Sequence, residues 1–264
     1  MSDVRSRNDI RRGLVAAVPA AIVLALGGAC DDEAPSEQDY DDVAAGLASL
    51  VADGDGGGDT GAMVEAAALA QGDVPLGMSS SGEGVFESEH GGLTYRYEVV
   101  CFDAAGRQVL SCAGGRADSA EVDVAWMGGV DRPNLKGSVE RSGSWTLSGL
   151  QSEIARFDGS STFDVSAEWQ SRRGMGHWAL AYDATYEGIR VELATLELLD
   201  GRARWNVDAS RYRSSARREV EASFTITAEL SFDDDGDPVL TLDGSRVYDV
   251  DPATGDAVRR PDAG

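Results

Sequence analysis

Residues 218–232 read REVEASFTITAELSF, and the reading of this stretch decides the fold. Val220, Phe224, Ile226, Leu230 and Phe232 fall on one side of a period of two, with Glu219, Glu221, Thr225 and Glu229 on the other. Side chains of a strand alternate between faces, so this pattern describes a strand with one buried and one wetted face. At about 3.4 Å per residue the stretch spans roughly 50 Å. A flat sheet of that length leaves its edges open, so a curled one is expected.

The same alternation extends upstream. Leu93, Tyr95, Tyr97, Val99 and Cys101 alternate with Thr94, Arg96 and Glu98, and Val122, Val124 and Trp126 with Glu121 and Asp123. Phe163, Val165, Ala167 and Trp169 form a third run, Trp178, Leu180, Tyr182 and Tyr186 a fourth, and Ile189, Val191 and Leu193 a fifth. Trp205, Val207 and Ala209 follow. Turn signals separate the runs at Asp158-Gly159, Gly174 to Gly176, Asp200-Gly201, Asp233 to Pro238 and Asp243-Gly244. Short connections favour neighbouring antiparallel strands. The expected architecture is therefore mainly β: an antiparallel meander forming a barrel or strongly curved half-barrel, preceded by one or two short helices. A membrane-spanning barrel shows the same alternation. The polar ending DPATGDAVRRPDAG, in place of a last strand closing on an aromatic residue, favours a soluble sheet.

Before the strands, residues 41–52 carry Val43, Leu47 and Leu50 at helical spacing, and the Ala-rich residues 62–71 are helix-prone. GDGGGDTG at 54–61 breaks the two, and residues 72–84 form a Ser/Gly-containing linker. Two roles stay open for these helices, a cover over the β domain and a loose spacer. The expected divisions are residues 1–29 as a signal, 30–88 as an acidic, glycine-rich tether with short helices, 89–251 as the β domain and 252–264 as a disordered tail.

The first 29 residues have their own logic. Arg5, Arg7, Arg11 and Arg12 precede an uncharged apolar segment, Leu14 to Ala29, which is shorter than the roughly 20 residues of a spanning helix. Basic, apolar and small residues in that order make an export signal. With Leu26-Gly27-Gly28-Ala29-Cys30 at its end, the segment resembles that of bacterial lipoprotein precursors, although Leu26 stands one position upstream of the family's place. The resemblance implies cleavage before Cys30 and lipidation of its thiol, hence a membrane-anchored protein of the cell envelope. Gly27 and Ala29 also suit an ordinary signal peptidase. Asp31 leaves the choice between inner and outer membrane open.

The chain holds 23 Lys and Arg against 46 Asp and Glu. Removal of residues 1–29 leaves 19 against 44, a net charge of −25. That sign repels phosphate, so nucleic-acid partners are not expected. With Cys30 lipidated, Cys101 and Cys112 remain as a pair, which in an exported protein favours a disulfide. A two-residue loop at Gly106-Arg107 sets Cys101 opposite Cys112. A three-residue loop with Gly106 left-handed sets Cys101 opposite Val109. The first register is the one expected.

Chemistry-bearing patterns are sparse. His90 and His177 share no metal spacing, and no nucleophile elbow or phosphate-cradling glycine loop is present. Asp233, Asp235 and Asp237 are spaced like the start of a calcium loop, but Gly236 comes two positions early and the distal Glu is missing. They read as a turn, and neither a metal nor a cofactor is expected. Arg211, Arg213, Arg217 and Arg218 form a basic cluster near a turn. The expectation is a non-catalytic envelope protein binding an apolar ligand inside a β barrel, its ligand-binding residues unassigned; an unfilled interior lined by residues such as Trp178, Trp205 and Phe224 would favour that reading. The alternative is an interaction protein contacting another envelope component through its outer face.

Overall fold

The computed structural model describes residues 35–51, 58–90, 92–112, 116–171, 174–194, 198–215, 218–233 and 236–261. Two helices, α1 (Glu37–Val51) and α2 (Asp59–Gln71), lead into the sheet. Its strands are β1 (Ser79–Gly82), β2 (Val85–His90), β3 (Leu93–Phe102), β4 (Gln108–Val109), β5 (Ser119–Arg132), β6 (Leu135–Ser148) and β7 (Ile154–Ser171). They continue as β8 (Gly174–Glu192), β9 (Leu198–Ser215), β10 (Arg218–Phe232), β11 (Pro238–Leu242), β12 (Arg246–Val250) and β13 (Ala257–Arg259). All pairings are antiparallel and follow chain order, with β4 folded back on β3. The 13-stranded sheet is not closed.

One face of the sheet carries both helices. α1 buries Tyr40, Val43, Ala44, Leu47, Ala48 and Val51, a stripe at helical spacing. Its start is fixed by a capping box, in which Asp39 N–H donates to Ser36 Oγ at 3.3 Å and Ser36 N–H to Asp39 Oδ2 at 2.9 Å. α2 buries Ala62, Met63, Ala66, Ala67, Leu69 and Ala70, and ends at left-handed Gly72, whose N–H reaches Leu69 O at 3.0 Å. The small alanines let the helix lie close against aromatic residues of the sheet. Contacts to the pair come from far apart: Tyr97 on β3 donates to Glu65, Arg211 on β9 to Asp39, and Tyr248 on β12 to Asp41. Each fully buried Leu, Val or Met here stabilises by roughly 1.5–3 kcal/mol.

Helices and strands thus share one core, and the division expected at residue 89 does not separate two units. Residues 37–51 and 59–71 are core helices rather than tether, and β1 and β2 are already sheet. At the other end the expected tail contributes β13, where Tyr248 pairs with Arg259 and Val250 with Ala257. The signal segment lies outside the described residues.

Two expected turns are strand interior, and a third opens a strand. At Asp158-Gly159 the register between β7 and β8 shifts, a bulge rather than a turn. A second irregularity sets Gly188 near Gly201, joining the runs at Trp178 and Ile189 into one strand. A Cβ on Gly201 would lie 2.5 Å from Ile189 Cα at φ +130°. Gly174 to Gly176 begin β8, which follows residues 172–173. Glycine permits either a turn or a bulge, and the strands alongside decide which forms.

The hairpin of β3 and β4 takes the register that was not expected. Cys101 pairs with Val109, and Gly106 is left-handed at φ +72°. The disulfide between Cys101 and Cys112 nevertheless forms across a Cα separation of 5.5 Å. β4 stops at Val109, so Cys112 lies off the ladder and is not bound by its alternation.

Candidate functional site

A buried polar cluster lies where α2 meets the sheet. Asp59, the first residue of α2, is 3% exposed, and Arg141 on β6 is 1% exposed. Their ion pair joins Arg141 Nη2 to Asp59 Oδ1. Asp59 also accepts from Tyr186 Oη, from Tyr182 Oη at 3.2 Å and from Trp205 Nε1 at 3.4 Å. The guanidinium lies 4.4 Å from the centre of the Trp126 ring and 5.8 Å from that of Trp145. Burial first, and then the charge of Asp59, push both tyrosine phenols well above their ordinary range, so both remain donors. So enclosed a set of groups cannot meet a substrate. Its physical role is to fix the N-terminus of α2 against the sheet.

The helices cannot cover the whole face. At 15 and 13 residues they measure about 22 and 20 Å at 1.5 Å per residue. The strands β7, β8 and β9 hold 18, 19 and 18 residues and reach roughly 60 Å. Beneath the helices the inward residues Phe157, Tyr186, Ala203, Trp205 and Ile226 are buried. Toward the ends joined by residues 133–134, 172–173 and 216–217, the same face carries Phe163, Val165, Trp169, Trp178, Leu180 and Phe224, all half-buried. Pairing makes this band continuous, since Val165 faces Leu180, Leu180 faces Ala209 and Ala209 faces Phe224. Phe163 stacks on Tyr182 at 5.0 Å, which joins the band to the polar cluster.

Basic groups border this band. Arg211 donates to Asp39 Oδ1 at 2.6 Å and ties the first turn of α1 to β9. Exposed Arg213 lies 6.0 Å from the centre of the Trp169 ring. Of the expected basic cluster, these two lie on the helix-bearing face, while Arg217 and the side chain of Arg218 fall outside the described residues.

The residues weighed as an interior lining are split. Trp205 is 2% exposed in the packed core, whereas Trp178 and Phe224 belong to the uncovered band. His177 takes the outer face of β8, opposite Glu168 and Tyr212. Glu140, Asp164, Asp183 and Asp208 line two outer-face grooves of about 250 and 430 Å³. Among the described residues no three His, Cys, Asp or Glu side chains are grouped to hold a metal ion. Asp233 accepts from Asp237 N–H at 3.1 Å within the turn between β10 and β11, and Asp235 lies outside the described residues. Cys30 and the side chain of His90 do so as well.

Sequence reading missed Asp59 and Arg141. Asp59 sits in GDGGGDTG, which reads as a break, and Arg141 occupies an inward position of a strand whose apolar period Gly137 and Gly143 interrupt. The available signal was Val139, Trp145 and Leu147 at even spacing on either side of a lone Arg.

No family model, curated protein or solved structure matches this chain.

Proposed function

We propose that this is an exported, non-catalytic protein, held at a membrane of the cell envelope by a lipid on Cys30, that binds an acyl-chain ligand on the uncovered band. The observation carrying this reading is the half-buried row Phe163, Val165, Trp169, Trp178, Leu180 and Phe224, continuous with the core face but beyond the reach of the helices. A strongly curved half-barrel is the matching shape. Twelve strands at about 4.8 Å would make a flat sheet more than 50 Å wide, yet strands from β3 to β13 touch one helix pair about 20 Å across. Helices that plug one end of such a trough leave an apolar lining at the other.

The anchor then works through a short stem. With α1 in the core, only residues 31–35 separate Cys30 from Ser36, a reach of at most about 20 Å. The domain is held next to the bilayer.

Titration of the protein with N-phenyl-1-naphthylamine, a neutral apolar dye, tests the ligand site. The dye's emission is expected to rise on binding and to be displaced by a fatty acid. A Leu180→Asp, Phe224→Ser double variant with unchanged far-UV dichroism is expected to bind at least about tenfold more weakly, since each lost apolar contact is worth 1.5 kcal/mol or more. Equal binding by both proteins, or none by either, rules the site out. An interaction partner on the outer face then becomes the better reading.

A further inference from the structure

The charged side chains near the connections from β5 to β6, β7 to β8 and β9 to β10 are sorted by face. Asp131, Lys136 and Glu168 share one row on the outer face with His177, Tyr212 and Glu221. Arg132, Leu135, Trp169, Gly176 and Arg213 share a row on the helix-bearing face, and Trp178 and Arg211 belong to the next row inward. Successive side chains of a strand point to opposite faces, so the carboxylates of Asp131, Glu168 and Glu221 are directed away from these three arginines.

Of Arg132, Arg141, Arg211 and Arg213, which the long strands direct to the helix-bearing face, Arg141 is held by Asp59 and Arg211 by Asp39. Arg132 and Arg213 pair with no carboxylate among the described residues. Arg213 is also set against a ring, its guanidinium 6.0 Å from the centre of Trp169. That indole covers Gly176 on the strand between them, where a Cβ would come within 2.4 Å of the ring. Strand β7 thus gives the ring, β8 the bare backbone beneath it and β9 the cation. From this row the apolar band runs inward through Ala167 and Trp178, then Val165 and Leu180, to Phe163 stacked on Tyr182. Six residues of β7 separate Trp169 from Phe163, about 20 Å, the reach of a long extended acyl chain.

The two ends of the band differ in what they offer a polar head. At the inner end the charge of Arg141 is taken by Asp59 and both are sealed from solvent. At the outer end Arg213 is exposed, unpaired and beside the last ring of the band. A guanidinium pairs its charge and parallel N–H groups with the oxygens of a carboxylate or phosphate. We propose that the ligand of the band is a single acyl chain ending in an oxyanion, a carboxylate or a phosphate, with its head at Arg213 and its tail toward the helices. This rests on the reading of the band as a ligand site and specifies the head of what it binds. The acidity of the chain acts weakly at that head, because charges beyond about 8 Å are screened at physiological salt and the outer-face carboxylates point away.

The test is displacement of N-phenyl-1-naphthylamine from the full chain by laurate, dodecyl phosphate and dodecanol, which share a chain length and differ in the head. The parent is expected to bind at least one of the two oxyanions about fivefold more tightly than dodecanol, the upper worth of an exposed charge pair. Arg213→Gln is expected to abolish that preference by weakening the oxyanion alone, Arg213→Lys to keep most of it, and added salt to reduce it. Arg213 is exposed, and unchanged thermal unfolding confirms that its variants are folded. A preference for laurate identifies a fatty-acid head and one for dodecyl phosphate a phosphate head; either supports the proposal. Dodecanol bound as tightly as both oxyanions by the parent overturns it. So does an Arg213→Gln variant that keeps the preference or weakens all three ligands alike. In those cases dye binding that is lost in the Leu180→Asp, Phe224→Ser variant leaves the band standing as a ligand site without a head group. Absence of dye binding by the parent removes the site and the head together.

Discussion

The ion pair between Asp59 and Arg141 is the contact whose loss is easiest to misjudge. Both side chains are almost wholly buried, and taking one away leaves the other as an uncompensated charge, which costs about 3–5 kcal/mol. The two ends are not equivalent. Arg141→Met leaves Asp59 with three donors, from Tyr182, Tyr186 and Trp205. Its cost is expected near the lower limit, about 3 kcal/mol. Asp59→Ala strands the guanidinium and also removes the acceptor of those three donors, of which Tyr186 alone retains another partner, Ser161 Oγ at 2.9 Å. Unpaired buried donors cost about 1–3 kcal/mol each, so this variant is expected to lose 5 kcal/mol or more. The double variant has no stranded charge and is expected to be at least about 2 kcal/mol more stable than the sum of the single losses implies. Asp59→Asn keeps an acceptor oxygen and falls between, which guards against a variant too unstable to fold. Urea unfolding followed by tryptophan emission measures the cycle, since Trp126 and Trp145 face the guanidinium. Additivity within about 0.5 kcal/mol, or Asp59→Ala no worse than Arg141→Met, would refute the pairing.

Burial raises the pKa of Glu65 against the opposing hydrogen bond from Tyr97, so the folded state holds this proton more tightly than the unfolded chain. Its ionisation destabilises the fold as pH rises from the unfolded carboxyl range, about 4.3, through the raised folded value. Glu65→Gln is therefore expected to be more stable than the parent at about pH 7, with the gain vanishing below about pH 4; a gain independent of pH contradicts this. Replacing Cys101 and Cys112 by Ser is expected to cost about 2–3 kcal/mol for a loop of this span, while reductant lowers the parent's melting temperature and leaves the variant's unchanged. Gly201→Ala places a Cβ 2.5 Å from Ile189 Cα at a backbone angle that suits glycine, and a loss of about 2 kcal/mol or more in thermal unfolding is expected.

How much of this could be read in advance depended on how local the signal was. Alternation over residues 218–232 delivered β10 with its full length, because one acidic face and one apolar face leave no competing period. β6 went unread since its inward row contains Gly137, Arg141 and Gly143, acceptable there only because Asp59 arrives from a segment some eighty residues earlier. Asp-Gly pairs at 158–159 and 200–201 were legible as backbone irregularities but not as bulges, since that choice belongs to neighbouring strands. The cysteine pairing came out of export chemistry, while the register offered for it did not hold, because a two-residue β4 frees Cys112 from the ladder. For the candidate site, Trp178, Trp205 and Phe224 could not be told apart in the sequence: all three alternate alike, and only the length of the helices decides which is covered.

Mass spectrometry of the protein purified from membranes tests the central claim most directly. Under denaturing conditions the account predicts a chain beginning at Cys30 with added acyl mass. Under native conditions it predicts a further lipid bound without a covalent bond, lost from the Leu180→Asp, Phe224→Ser variant. A chain beginning elsewhere without acyl mass would contradict the anchor, and a native spectrum free of lipid, or one unaltered by the variant, would contradict the binding site.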